Sequence, residues 1–188
     1  MSAQVQNGSR GPVVAPVRAQ TASSSQPAAT SGTGASKTVD SFGGAAGSKE
    51  VTAYVNGKPS QITVVPVGNG QYLRADAADA YKRMEAAARK AGINISPGSG
   101  FRDMKQQQYL WNGYQAKLRG EKWAQGFNKA ARPGFSNHQN GIAMDVEGTH
   151  KSYKSAAYQW LAKHAKEYGF VNDVSGEPWH WTFRNKVQ

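Results

Sequence analysis

The chain has 188 residues, no cysteine, and 23 Lys and Arg against 12 Asp and Glu, a formal charge of +11 at neutral pH. That length suits one ordinary domain with a tail, and the lack of cysteine excludes disulfides and thiolate metal sites, leaving His, Asp and Glu as metal ligands. The basic balance fits a polyanionic partner such as nucleic acid, an anionic membrane or an acidic wall polymer, and no apolar run approaches the length of a membrane span.

Residues 1–48 are rich in Ala, Ser, Thr, Gly and Gln and poor in large apolar side chains. Such a stretch buries too little surface to offset the entropy of ordering, so the expectation is a low-complexity arm that is disordered or ordered only by a partner. The opening Met1-Ser-Ala-Gln-Val-Gln-Asn-Gly-Ser-Arg10 has neither the basic start nor the apolar centre of a secretory signal. The expectation is synthesis in a cytoplasm without a general secretory route. A folded domain is expected over 49–188.

Val51–Val55, Asn56-Gly57 and Ser60–Val65 read as a β-hairpin, because Asn-Gly supplies the positive φ angles of a type I′ turn. Pro59 and Pro66 suggest a place at a sheet edge. Asp76 to Ala91 reads as a helix with Asp76 at its N-cap, Gly92 past its end, and one apolar stripe through Ala77, Ala80, Tyr81, Met84, Ala88 and Ala91. Ile93–Ile95 reads as a short strand broken by Pro97-Gly98-Ser99-Gly100. A second helix over 104–118 places Gln107, Trp111, Tyr114 and Leu118 on one face, three of them expected in the core. Arg102 precedes it, and its ordinary reading is an ion pair with Asp103. Residues 120–135 read as a long loop with one helical turn. A third helix runs from Ser155 to Tyr168 and stops at Gly169, with His164 a boundary histidine and His150 a loop histidine, neither assigned to a metal.

Between the loop and the third helix lies Ser136-Asn137-His138-Gln139-Asn140-Gly141-Ile142-Ala143-Met144-Asp145. On a strand over 141–146, Ala143 and Asp145 share one face while Ile142 and Met144 take the other. A carboxylate among such neighbours is at least half buried and needs a partner. The closing Gly176-Glu177-Pro178-Trp179-His180-Trp181-Thr182-Phe183 supplies a second histidine, on a strand that starts after Pro178, with Glu177 free to curl toward it. His138, Asp145 and His180 then make two histidines and a carboxylate, the ligand set of a catalytic zinc, with Glu177 as a non-ligand acid able to move the proton of a bound water.

Ser136-x-His138-x-x-Gly141-x-Ala143-x-Asp145 followed by Glu177-x-Trp179-His180 resembles the signature of the lysostaphin, D-Ala-D-Ala metallopeptidase and hedgehog group. The likeness is greatest to its vancomycin-resistance type of D,D-carboxypeptidase, whose Ser-Gly-Tyr-Arg segment and downstream glutamine are matched by Ser99-Gly100-Phe101-Arg102 and Gln107. The resemblance spans about Tyr72 to Phe183. Asp103 departs from the serine common in that branch, and the Glu-x-Trp-His form argues against the L-alanyl-D-glutamate peptidases, which tend to carry Asp-x-Pro-His.

The resemblance implies an α+β fold, with a small antiparallel sheet carrying the ligands and helices mainly on one face. It implies a zinc peptidase acting on peptidoglycan stem peptides or cross-links, with Glu177 as acid–base group, Arg102 stabilising the oxyanion, and Gln107, Ser136 and Trp179 contacting substrate. A wall peptidase with no visible export signal fits a bacteriophage product, either an endolysin or a virion component whose arm docks on tail proteins. Two other expectations stand beside it: a catalytically silent zinc-site relative serving a tail assembly, and nonspecific nucleic-acid binding by charge alone, for which there is no basic run or motif.

Overall fold

Asn56 and Gly57 both take positive φ, 51° and 79°, and the strands on either side pair in register from Val55↔Lys58 to Lys49↔Val64. The Asn-Gly hairpin is therefore present, as strands β1 (Lys49–Val55) and β2 (Lys58–Gly68). The computed structural model describes residues 47–184, so the expected arm lies almost wholly outside the described residues.

A third strand, β3 (Gln71–Arg74), has no counterpart in the sequence reading and pairs with the far half of β2, which makes β2 the central strand. The two prolines survive there for different reasons. Pro59 pairs with Tyr54 at the hairpin end, where β3 does not reach, and Pro66 sits at the register shift between Pro66 and Gly68. A proline lacks the ladder N–H and is tolerated at such free or bulged positions.

Helix α1 (Ala75–Lys90) follows β3 without a gap. Its N-cap is Arg74, and Asp76 lies inside the first turn, where it pairs with Arg74 at 2.7 Å and complements the positive helix end. Gly92 stands just past the helix with φ 74°. The stripe is buried from Ala77 to Ala88, and Ala91 is exposed.

The next strand is displaced from Ile93–Ile95 to β4 (Pro97–Ser99). Gly98 explains the shift: a Cβ there would lie 2.9 Å from the Asp145 carbonyl oxygen, so only glycine admits the neighbouring strand. Helix α2 (Met104–Leu118) starts from Asp103, whose side chain caps Gln106 N while the Gln106 side chain returns to Asp103 N. Its expected apolar stripe is not core: Trp111 and Tyr114 are half-buried and Leu118 is 63% exposed, while Gln107, Gly113 and Ala116 are buried.

The second sheet has the order β4-β5-β7-β6, with β5 (Ala143–Val146), β6 (Phe170–Val171) and β7 (His180–Phe183), every pair antiparallel. The antiparallel sheet that carries Asp145 and His180 is thus accompanied by a separate three-stranded one. Helix α3 (Ala156–His164) runs into a 3-10 segment, Ala165–Tyr168, that ends at Gly169 in the left-handed region. Met144 and Val146 of β5, Trp181 and Phe183 of β7, Tyr81 and Met84 of α1, and Leu161 of α3 share one core. Strand alternation sends Asp145, His180 and Thr182 to the opposite face.

The first sheet also grips the turn that carries His138. Tyr54 N donates to Gln139 O at 3.1 Å, Gly57 N to Gly134 O at 2.9 Å, and Arg74 N to Gly141 O at 2.8 Å. Gly141 has φ 71°, and a Cβ on it would crowd Arg74 N at 3.1 Å.

Candidate active site

Asp145 of β5 and His180 of β7 are direct cross-strand partners, and Ser99 of β4 faces Asp145 from the other side. Adjacent strands put such side chains within contact distance. His138 enters from the turn before β5. Three atoms converge: Asp145 Oδ1 lies 3.0 Å from His180 Nδ1 and 3.3 Å from His138 Nε2, and the two ring nitrogens are 3.3 Å apart. All three side chains are largely buried, and this is the group of His and acidic residues placed to hold a metal ion among the described residues.

The surroundings prepare these atoms for a cation. His138 Nδ1 lies 2.8 Å from the Gly100 carbonyl, which can only accept, so the proton sits on Nδ1 and the Nε2 lone pair faces Asp145 and His180. Burial pushes the His138 imidazole below its ordinary pKa and outweighs the pull of Asp145. Burial opposes ionisation of Asp145, yet His138, His180 and Arg102 together hold its carboxyl well below the usual range. The donor set is therefore a neutral imidazole and a carboxylate with a second imidazole, which fits zinc.

Arg102 does not pair with Asp103. Its Nη2 donates to Asp145 Oδ2 at 2.6 Å and its Nε to Ser99 Oγ at 3.1 Å. It fixes the outer oxygen of Asp145, and its other guanidinium N–H groups have no partner among the described residues. Glu177 lines the same cleft, of about 590 Å³, with Gln107, Ser136 and Trp179. Burial raises the Glu177 pKa above the ordinary value, the push of Asp145 adding to it and His180 countering.

Gln107 is 1% exposed; its Nε2 donates to Ala131 O at 2.8 Å, while its Oε1 is buried with no hydrogen-bond partner. An orphaned acceptor in a cleft wall suits a substrate N–H. Ser136 Oγ accepts from His138 N at 3.3 Å. His150 and His164 stay outside the cleft, His164 pairing with Glu167 at 3.0 Å. A larger groove of about 800 Å³, lined by Asp76, Arg83, Lys166 and Arg184, holds none of these groups.

The 120–135 loop, which the sequence suggests as the segment bounding the substrate groove, forms a wall of the cleft through Trp123, Phe127 and Lys129. Sequence reasoning gave these side chains no site role. The signal was a pair of aromatics in a polar loop, and its local counterpart was Gly113: a Cβ there would come within 2.2 Å of the Phe127 ring.

Residues 70–186 match the family model VanY, described as D-alanyl-D-alanine carboxypeptidase. The chain belongs to this VanY family.

Among curated VanY-like relatives, a putative carboxypeptidase, YodJ, of Bacillus subtilis is 32% identical over 133 residues, covering 62% of this chain and 48% of that protein. A D-alanyl-D-alanine carboxypeptidase of Enterococcus faecalis is 29% identical over 146 residues, covering 65% and 52%. The chain spans about half the length of these relatives. A mutant of the vancomycin-resistance D,D-pentapeptidase VanY, solved in complex with Zn(II), shares the fold with a TM-score of 0.55 at 24% identity, over 70% of this chain and 83% of that one. The LD-carboxypeptidase LdcB aligns with a TM-score of 0.50 at 32% identity, over 62% and 61%.

Proposed function

We propose that this chain is a zinc-dependent peptidase of bacterial peptidoglycan, cutting a D,D-bond in stem peptides or cross-links. The observation that carries the reading is the convergence of His138 Nε2, His180 Nδ1 and Asp145 Oδ1 within 3.3 Å, with Glu177 in the same cleft. The family description supports D-Ala-D-Ala as the substrate class. Glu177 in the cleft supports this reading over that of a catalytically silent relative.

His138, Asp145 and His180 would hold the zinc, which when bound polarises a carbonyl and brings the pKa of a water toward neutrality. Glu177 takes the proton of the attacking water and returns it to the departing nitrogen, a task its raised pKa suits. Arg102, anchored on Asp145, offers its remaining N–H groups to the oxyanion. Gln107 Oε1 accepts a substrate N–H, and Ser136 and Trp179 line the path.

Digestion of purified wall material followed by mass spectrometry tests the bond. Free D-Ala released from stems ending in D-Ala-D-Ala marks a D,D-carboxypeptidase and conversion of cross-linked dimers to monomers marks an endopeptidase; either supports the D,D reading. New L-Ala and D-Glu ends, or release of D-Ala only from an L,D-bond, overturn it. The finer setting we infer is a bacteriophage lysin, free or carried in the virion, with residues 1–48 docking on tail proteins. Their apolar-poor composition supports a segment that folds on a partner. Deleting 1–48 should leave peptidase activity intact and abolish incorporation into particles; normal incorporation refutes the docking role.

A further inference from the structure

The second nitrogen of His180 enters a closed hydrogen-bond chain. His180 Nε2 lies 3.2 Å from Thr182 Oγ1, Thr182 Oγ1 donates to Asp173 Oδ1 at 2.7 Å, and Asn137 Nδ2 donates to Thr182 Oγ1 at 3.3 Å. Asp173 Oδ2 is held in turn by Arg184, whose Nη2 lies 2.7 Å away and Nε 3.2 Å away. Thr182 is fully buried and shares the ligand face of β7 with His180.

A hydroxyl has one proton and two lone pairs. The Thr182 proton is committed to the Asp173 carboxylate, and one lone pair is taken by Asn137. What remains toward His180 is an acceptor, so Nε2 must carry the ring proton. This matters because the opposite choice has a strong advocate: Asp145 Oδ1, 3.0 Å from Nδ1, would keep the proton on the nitrogen that must face the metal.

We propose that Thr182 and Asp173 are positioning residues for the metal centre, a proton-ordering chain that selects the Nε2–H form of His180 and frees its Nδ1 lone pair. The inference rests on the zinc reading above. It assigns the two histidines opposite tautomers by opposite devices, a backbone carbonyl for His138 and a hydroxyl–carboxylate pair for His180. Outer partners of this kind set the orientation and basicity of a ligating imidazole, and their loss weakens metal affinity by about 10- to 100-fold.

The test uses the full chain, stripped of metal and titrated with zinc against a chromophoric chelator. Thr182→Val, which keeps the shape and removes the hydroxyl, and Asp173→Ala, which releases the Thr182 proton, should each weaken zinc binding about 10- to 100-fold. Thr182→Ser keeps the hydroxyl and should bind within about twofold of the parent, a split that a merely structural threonine would not produce. In the zinc-loaded parent, the His180 Nε2 proton should be visible and protected in the nitrogen–proton NMR spectrum, and unprotected in Thr182→Val. Parental affinity in both Thr182→Val and Asp173→Ala, with native circular dichroism, overturns the proposal. Should Thr182→Val fail to fold, Asp173→Ala and the serine variant decide it. A parent chain that binds no zinc refutes the metal reading itself, a separate outcome.

Discussion

Asp145 divides its two oxygens between two tasks, Oδ1 toward the histidines and Oδ2 toward Arg102. Both partners of the Arg102–Asp145 pair are about four-fifths buried, and removing one side of such a pair typically costs about 3–5 kcal/mol. Arg102→Met should therefore lower both zinc affinity and kcat, whereas Glu177→Gln should keep the metal and lower turnover by about 10² to 10⁴-fold. Metal content and single-substrate kinetics on the same preparations separate the two; unchanged turnover in Glu177→Gln removes it as the acid–base group. The raised Glu177 pKa places the acidic limb of kcat/KM above the ordinary glutamate range, so activity is lost earlier on acidification than for an exposed carboxylate. The grouping of His138, Asp145 and His180 was legible in the sequence because the spacing around Gly141 and Pro178 is local. The partner of Arg102 was not: Asp103 is adjacent in the chain, but its carboxylate is engaged in capping α2, and Asp145 is brought in only by the pairing of β4 with β5.

Helices were easier to read than strands, and α2 shows the limit of periodicity. Its spacing marks a face but not what covers it, and the covering is the 120–135 loop, with Phe127 packed onto Gly113. The displaced β4 has the same origin, since Pro97-Gly98 is a breaker locally and a fitted strand only beside β5. Gly113 offers a direct contest between two effects. Alanine is favoured over glycine in a helix interior by about 1 kcal/mol, but a new Cβ would meet the Phe127 ring at 2.2 Å. Overpacking of this severity costs about 1–3 kcal/mol. Gly113→Ala should thus destabilise, by urea midpoint, and should raise KM because Phe127 lines the cleft. A gain in stability would show that the loop gives way freely.

Acid sensitivity belongs to the whole molecule. Burial depresses the His138 pKa below its ordinary 6.5, so the unfolded chain takes up that proton first. Its contribution is therefore complete above that pH and declines as pH falls through it, and the metal-free protein should have a lower urea midpoint at about pH 5.5 than at about pH 7.5. Asp145, held low, contributes through that whole window, and half-buried Glu177 opposes the loss only weakly. Equal midpoints would mean that His138 is solvated in the metal-free state.

The grip of the first sheet on the His138 turn couples two distant parts of the chain. Tyr54, Gly57 and Arg74 donate their amides to the segment 134–141, so those three bonds break when the first sheet and the turn part. Any ligand of the folded state alone adds RT ln(1 + [L]/Kd), about 2.7 kcal/mol at a hundredfold excess over Kd. Zinc should therefore slow hydrogen–deuterium exchange at Tyr54, Gly57 and Arg74 by up to about a hundredfold, although none of them touches the metal site. The hairpin then serves as a remote reporter of occupancy, and metal loss would loosen the N-terminal sheet before the helical core.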